Sequence, residues 1–178
     1  NQVTKLSLNS LFLNGKKLVL TINTNDAREK ITNLYTTYPK PLIKRYKFIK
    51  GFEEGILDFQ SIEKNGISNS ILVIDNFKVK EVPALAKILT LASLQGIADL
   101  LTGEGIRFTD FDMKFSTKNN FTEIEEVYAI GPAISLMMNG YIEKDKITSL
   151  RGTLVPATTI NRTISSIPLL GDILVGKK

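Results

Sequence analysis

Histidine and cysteine are both missing from this 178-residue chain. Their absence removes the Ser-His-Asp and Cys-His nucleophile pairs, the usual nitrogen and sulfur zinc sites, and any disulfide. No metal and no cofactor is expected, and enzymatic activity is not the expected destination. Lack of cysteine fits any compartment, so it locates nothing. Long apolar runs are missing as well. None reaches the eighteen or so residues that cross a bilayer, and Asn1 is followed by no charged n-region or apolar signal core. The chain is expected to be a soluble piece of something longer.

What is present begins with a mild excess of base, 23 Lys and Arg against 18 Asp and Glu. A net charge of +5 favours anionic partners such as phospholipid headgroups or nucleic acid. A lysine-rich proteome gives the same bias, and no nucleic-acid partner is expected. The length suits one domain with a sizeable core, taken as residues 1–178.

The segment from Glu81 to Phe111 stands out. Leu85, Ile88, Leu89 and Ala92 recur at i, i+3, i+4 and i+7, the stripe of a helix that covers an apolar surface. Pro83 suits its first turn, and Ser93 restarts it as a second short helix through Leu101. Around it the pattern is short alternating segments. Val3 to Thr24 alternates on both sides of Asn14-Gly15, a strong hairpin signal. Asp26 offers an N-cap for a helix over Ala27 to Tyr38 with Ile31, Leu34 and Tyr35 on one stripe, stopped by Pro39 and Pro41. Leu42 to Gln60 reads as one or two strands around Gly51 and Gly55, and a turn at Asn65-Gly66 precedes a strand over Ser70 to Lys80. In that strand Ile71, Val73, Phe77 and Val79 are placed on one face, with Asp75 breaking the pattern. Four strands follow, Ile106 to Thr117, Phe121 to Ile130, Ala133 to Lys144 and Lys146 to Pro156. Thr159 to Ser166 is read as a helical turn, and LLGDILVG after Pro168 as a small apolar cap. The fold class this implies is α+β, an antiparallel sheet with helices at its ends.

Three segments carry a resemblance. They are ILVIDNFKVKEVPALAKILTLASLQGIADLLTGEGIRFTDFDMKF, AIGPAISLMMNGYIEKDKITSLRGTLVPA and TINRTISSIPLLGDILVG. In this order they resemble the AsmA-like C-terminal region of large Gram-negative envelope proteins. The match is good over residues 70–178 and loose over 1–69. The resemblance implies a curved sheet forming an apolar groove, in a periplasmic piece of an inner-membrane-anchored protein that carries phospholipid between the two membranes. The family pattern continues past the last cap with a further glycine- and aromatic-rich strand, whereas this chain stops at Lys178.

A groove for acyl chains needs a continuous apolar strand face. Leu18, Leu20, Ile22, Ile71, Val73, Phe77, Ile134, Leu136 and Met138 are the residues placed there, with Leu85, Ile88, Leu89 and Ala92 on the capping helix. The bland reading of the same residues is ordinary core. The alternative within the resemblance is an end-cap or docking module that contacts a membrane surface or an envelope protein without holding lipid. Met137 and Met138 face opposite sides if both lie on a strand. The basic stretch of Lys44, Arg45, Lys47 and Lys50 with Tyr46 and Phe48 suits headgroups or a solvated edge. Asp110 with Asp112, and Glu123 with Glu125 and Glu126, raise a carboxylate mechanism, but such acids more often face Lys or Arg across a sheet. Gly103-Glu104-Gly105 lacks the spacing and the lysine of a phosphate loop.

Overall fold

The computed structural model describes residues 5–12, 14–44, 51–144 and 146–156. The last helical turn and apolar cap expected after Pro156, and Arg45 to Lys50 of the basic stretch, lie outside the described residues. The strands are β1 (Lys5–Leu11), β2 (Lys17–Thr24), β3 (Lys30–Thr36), β4 (Gly51–Lys64), β5 (Ile67–Lys80), β6 (Ile106–Lys118), β7 (Phe121–Ile130), β8 (Ile134–Glu143) and β9 (Ile147–Pro156). They form one antiparallel sheet whose spatial order is the chain order. Among the described residues three short helices interrupt it, α1 (Lys40–Ile43), α2 (Pro83–Leu91) and α3 (Gln95–Thr102).

Local chemistry accounts for the turns. Asn65 and Gly66 both take positive φ, 52° and 75°, the combination that a tight two-residue hairpin requires. Gly15 at φ 69° closes the first hairpin, where Phe12 N–H donates to the Lys16 carbonyl. The four later strands fall within three residues of their expected limits, and the long helical pattern breaks at Ser93, φ 59°, into α2 and α3. Ala92 therefore sits exposed in the turn between them, away from the covering stripe.

Three expectations are corrected. Residues 27–38 contain no helix: Lys30–Thr36 is a strand between β2 and β4. Asp26 belongs to the preceding loop, closed by Glu29 N–H donating to Asn25 Oδ1 at 2.9 Å. The apparent stripe of Ile31, Leu34 and Tyr35 splits between the two sheet faces, as period-2 geometry demands. Pro39 and Pro41 start α1 rather than ending a helix, because a proline in the first turn surrenders no hydrogen bond. Finally, Phe77 and Val79 share no face with Ile71 and Val73. Asn76 adopts φ 50° and interrupts the alternation, so Ile74 and Phe77, three residues apart, enter the same buried cluster. β4 makes the same phase change at Glu54 and Gly55, φ 64° and 88°, and register stays one-to-one on either side, Leu57 opposite Ile74 and Glu54 opposite Phe77. Asn tolerates the left-handed region better than most residues, and Gly enters it freely. Glu54 then reaches across β5 to Arg107 on β6, with both carboxylate oxygens accepting at 2.8 and 3.1 Å.

The core lies at one end of one face. Phe52, Phe77, Val79, Ile106, Phe108 and Ile134 from the strands form one buried cluster with Leu89, Ala98 and Leu101 from the helices. Leu85, Leu94 and Ile97 are half-buried against it. Leu89 and Leu101 have no exposed surface at all.

Candidate functional site: an apolar band across the sheet

Antiparallel partners directly opposite each other share a face, so register converts into rows that run across the strands. One row on the face carrying the buried cluster is Leu8, Leu20, Leu34, Phe59, Leu72, Met113, Val127, Met138 and Gly152, one residue from each strand in turn. Every side chain in it is apolar until the glycine. The next row toward the helices is Ser10, Leu18, Thr36, Leu57, Ile74, Phe111, Ala129, Leu136 and Leu154. Most members of the first row are half-buried by their neighbours, while Leu8 is exposed and Val127 is buried.

On the side away from the helices the chemistry changes within two rows. In the middle strands Thr32, Ser61 and Ser70 come first, with Ser70 Oγ donating to Ser61 Oγ at 2.9 Å, while Leu6, Ile22, Phe115, Ile124 and Leu150 keep the same row apolar on either side of them. Beyond them stand Lys30, Glu63, Ser68, Thr117 and Thr122. Lys30 meets Glu63 at 3.1 Å, and the Thr117 and Thr122 hydroxyls lie 3.1 Å apart. Along β3, β4 and β5 this face therefore passes from the apolar band to hydroxyls, with the Lys30 and Glu63 pair beyond them on β3 and β4.

Of the residues expected to line a groove, Leu18, Leu20, Ile22, Leu136 and Met138 lie on this face with some surface exposed. Phe77 and Ile134 belong to the same face but are closed inside the cluster, at 5% and 0% exposure. Ile71 and Val73 point to the opposite face, where Val73 stands between Asp58 and Asp112. Leu85 and Leu89 pack on the cluster, and the side chain of Ile88 is outside the described residues. Leu8, Leu34, Phe59, Leu72, Met113 and Val127 are the band members that sequence reasoning missed. Their signal was the i, i+2 spacing inside Phe111, Met113 and Phe115 and the alternation of Thr32, Leu34 and Thr36. Met137 and Met138 do face opposite sides, paired with Tyr128 and Val127.

The opposite face mixes polar and charged side chains with exposed apolar ones, among them Tyr35, Ile62, Ile71, Phe121, Met137 and Tyr141. Shallow depressions of about 330 Å³, around Gln60, Asn69, Ile71 and Lys114, and about 430 Å³, around Phe121, Asn139, Tyr141 and Arg151, mark it. Glu126 sits opposite Lys114 as expected of a paired acid, and it also accepts from the Tyr128 hydroxyl, whose pKa is pushed up to about 12. Asp110 departs from that expectation: its partner across the strands is Asp75. Burial first, then the charges of Asp110, Asp112 and Asp58, hold the Asp75 carboxyl above the ordinary carboxylate range. A raised acid pKa means the folded chain keeps a proton that the unfolded chain has released. Stability from this group is therefore greatest below the unfolded value and falls as pH rises through the raised one. Asp75→Asn is expected to raise the melting temperature at pH 7 by roughly 1–3 °C. The gain should disappear below about pH 4, where aspartate is protonated in both states. Thermal melts at the two pH values check this, and no gain at pH 7 contradicts it.

Among the described residues there is no grouping of acidic side chains able to hold a metal ion and no helix long and apolar enough to cross a membrane. Compared with known proteins, the chain matches no family model, no curated protein and no solved structure.

Proposed function

We propose that this chain is a non-enzymatic lipid-path segment of an AsmA-like, periplasm-spanning envelope protein, supporting phospholipid movement between inner and outer membranes. The observation that supports this reading is the apolar row that crosses the whole sheet. Eight inter-strand steps of about 4.8 Å give it a span of about 38 Å, longer than an extended acyl chain. In this reading the row is the floor of a groove, with α2 and α3 standing along one side of it. Each acyl methylene buried there contributes about 0.8 kcal/mol without any polar anchor, so the path accepts different headgroups alike. The hydroxyls of Thr32, Ser61 and Ser70, with Lys30 and Glu63 beyond them, give headgroups a polar margin at the middle strands. No nucleic acid is involved.

The test is native mass spectrometry with lipid extraction on protein made in a Gram-negative host. Bound phospholipid is expected. Leu72→Asp and Met138→Asp should reduce it several-fold, since a charge on the band must be desolvated. Ile71→Asp, on the opposite face and 42% exposed, should leave it unchanged. Loss in all three variants alike, or no lipid in the well-folded parent, overturns the path.

One observation favours a second reading, a docking or end-cap module. Leu91 is 78% exposed at the α2–α3 turn and Leu100 is 44% exposed on α3, apolar surface available to a membrane or an envelope partner. A lipid-free, folded protein in the experiment above favours this reading.

A further inference from the structure

Ile124 and Val127 on β7 are buried, at 4% and 5% exposure, yet neither belongs to the cluster that the helices cover. Their strand neighbours do not account for this. Ile124 stands opposite Gly140, and the row of Val127 ends two strands on at Gly152, so β8 and β9 place little side chain beside the pair. Phe59 and Leu72, on the same face with a large apolar residue on either side, stay only half-buried. Contact within one sheet covers the flanks of a side chain, and closing its outer surface takes a second layer. The described helices pack elsewhere, α1 against β4 and α3 against β5 and β6.

We propose that the segment following β9, residues 157–178, supplies that layer, laying its aliphatic side chains over Ile124 and Val127 at the β7–β9 end of the apolar band. Its composition asks for such a surface. Ile160, Ile164 and Ile167 recur at i, i+4 and i+7, and Leu169 to Val175 adds an apolar run interrupted only by Gly171 and Asp172. Burying each large aliphatic side chain contributes about 1.5–3 kcal/mol. Reach is sufficient as well. β9 delivers the chain at Pro156, opposite Ile134. Val127 is level with Gly152, four residues back along β9 and two strands inward, about 17 Å at 3.4 Å and 4.8 Å per step. Five or six extended residues span roughly that distance, and Ile164 is eight beyond Pro156. The other face of the same strands carries Glu123, Asn139 and Arg151, a poor surface for an aliphatic segment.

The docking stands on burial and register alone. Its regulatory consequence rests on the lipid-path reading above: the segment covers the surface that acyl chains would use at the β7–β9 end, so it competes with lipid there.

The experiment is thiol labelling of the full, lipid-free chain, which has no cysteine of its own. Val127→Cys should react at least about tenfold more slowly with a maleimide than Met137→Cys, which is 37% exposed on the opposite face. Adding Ile164→Asp and Ile167→Asp together should raise the rate at position 127 about tenfold or more and leave position 137 unchanged, since a charge on the docked stripe must be desolvated. A second measurement holds where the aspartates disturb folding. Met138→Cys with Ile164→Cys should be joined within one chain by a short bifunctional maleimide, whereas Met137→Cys with Ile164→Cys should not. An unchanged rate at position 127 in the folded aspartate variant assigns the burial to the sheet alone and overturns the proposal, as does crosslinking through position 137 rather than 138. No lipid enters either readout, so failure here is distinct from failure of the lipid path.

Discussion

Phe77→Ala is expected to cost about 3–5 kcal/mol of stability, the range for removing a buried aromatic ring. Phe77 is 5% exposed and sits inside a stack, its centroid 5.3 Å from Phe52 and 5.5 Å from Phe108 at interplanar angles of 14° and 20°. Phe111 approaches edge-on at 6.2 Å. Three rings from the two flanking strands, Phe52 on β4 and Phe108 and Phe111 on β6, lose their common neighbour, so the loss exceeds one transfer free energy. The strands are also held at this level by the phase change at Asn76 and Gly55, which limits how far they can close on the space. Urea denaturation should show a large fall in midpoint for Phe77→Ala and a much smaller one for Val73→Ala on the opposite face. Comparable losses for the two would mean that the core is not where the burial places it.

Leu101→Ala is the second large effect, expected at about 2–5 kcal/mol. Leu101 is fully buried, and its carbonyl accepts from Glu81 N–H at 3.1 Å, closing the base of the α2–α3 insertion. Truncation should loosen this insertion before it loosens the sheet. Hydrogen exchange is the discriminating readout: amides of α2 and α3 should lose protection well ahead of those in β7 and β8. Uniform loss would show instead that helices and sheet unfold as one unit. A normal protection pattern with undiminished stability would remove the helix pair from the core altogether.

How far the sequence led depends on which signal each element offers. Strands bounded by strong turn residues, as at Asn14-Gly15 and Asn65-Gly66, were legible because the turn and the alternation agree. β3 was not. Its residues satisfy helical spacing and strand alternation together, and only pairing with β2 and β4 decides between them. The break of the helical stretch at Ser93 was readable, but the conformation at Asn76 was not. That residue lies inside an uninterrupted strand pattern, and nothing local announces that the alternation skips there. The skip moved Phe77 and Val79 to the face opposite Ile71 and Val73. The band itself is a property of register, which a single strand does not carry: Leu34, Phe59 and Leu72 become one row only when three strands are aligned.

Spatial order that equals chain order has a consequence for how the molecule comes into being. Among the described residues every strand pairs with the strand made just before it, and no pairing there waits for a distant part of the chain. Among the described strands only the connections around α1 and around α2–α3 are longer than a hairpin turn. Loop-closure entropy is therefore spent in small instalments, and such local topologies fold quickly for all-β architecture. The sheet can be laid down in the order in which the ribosome releases it, each new hairpin finding a template already in place.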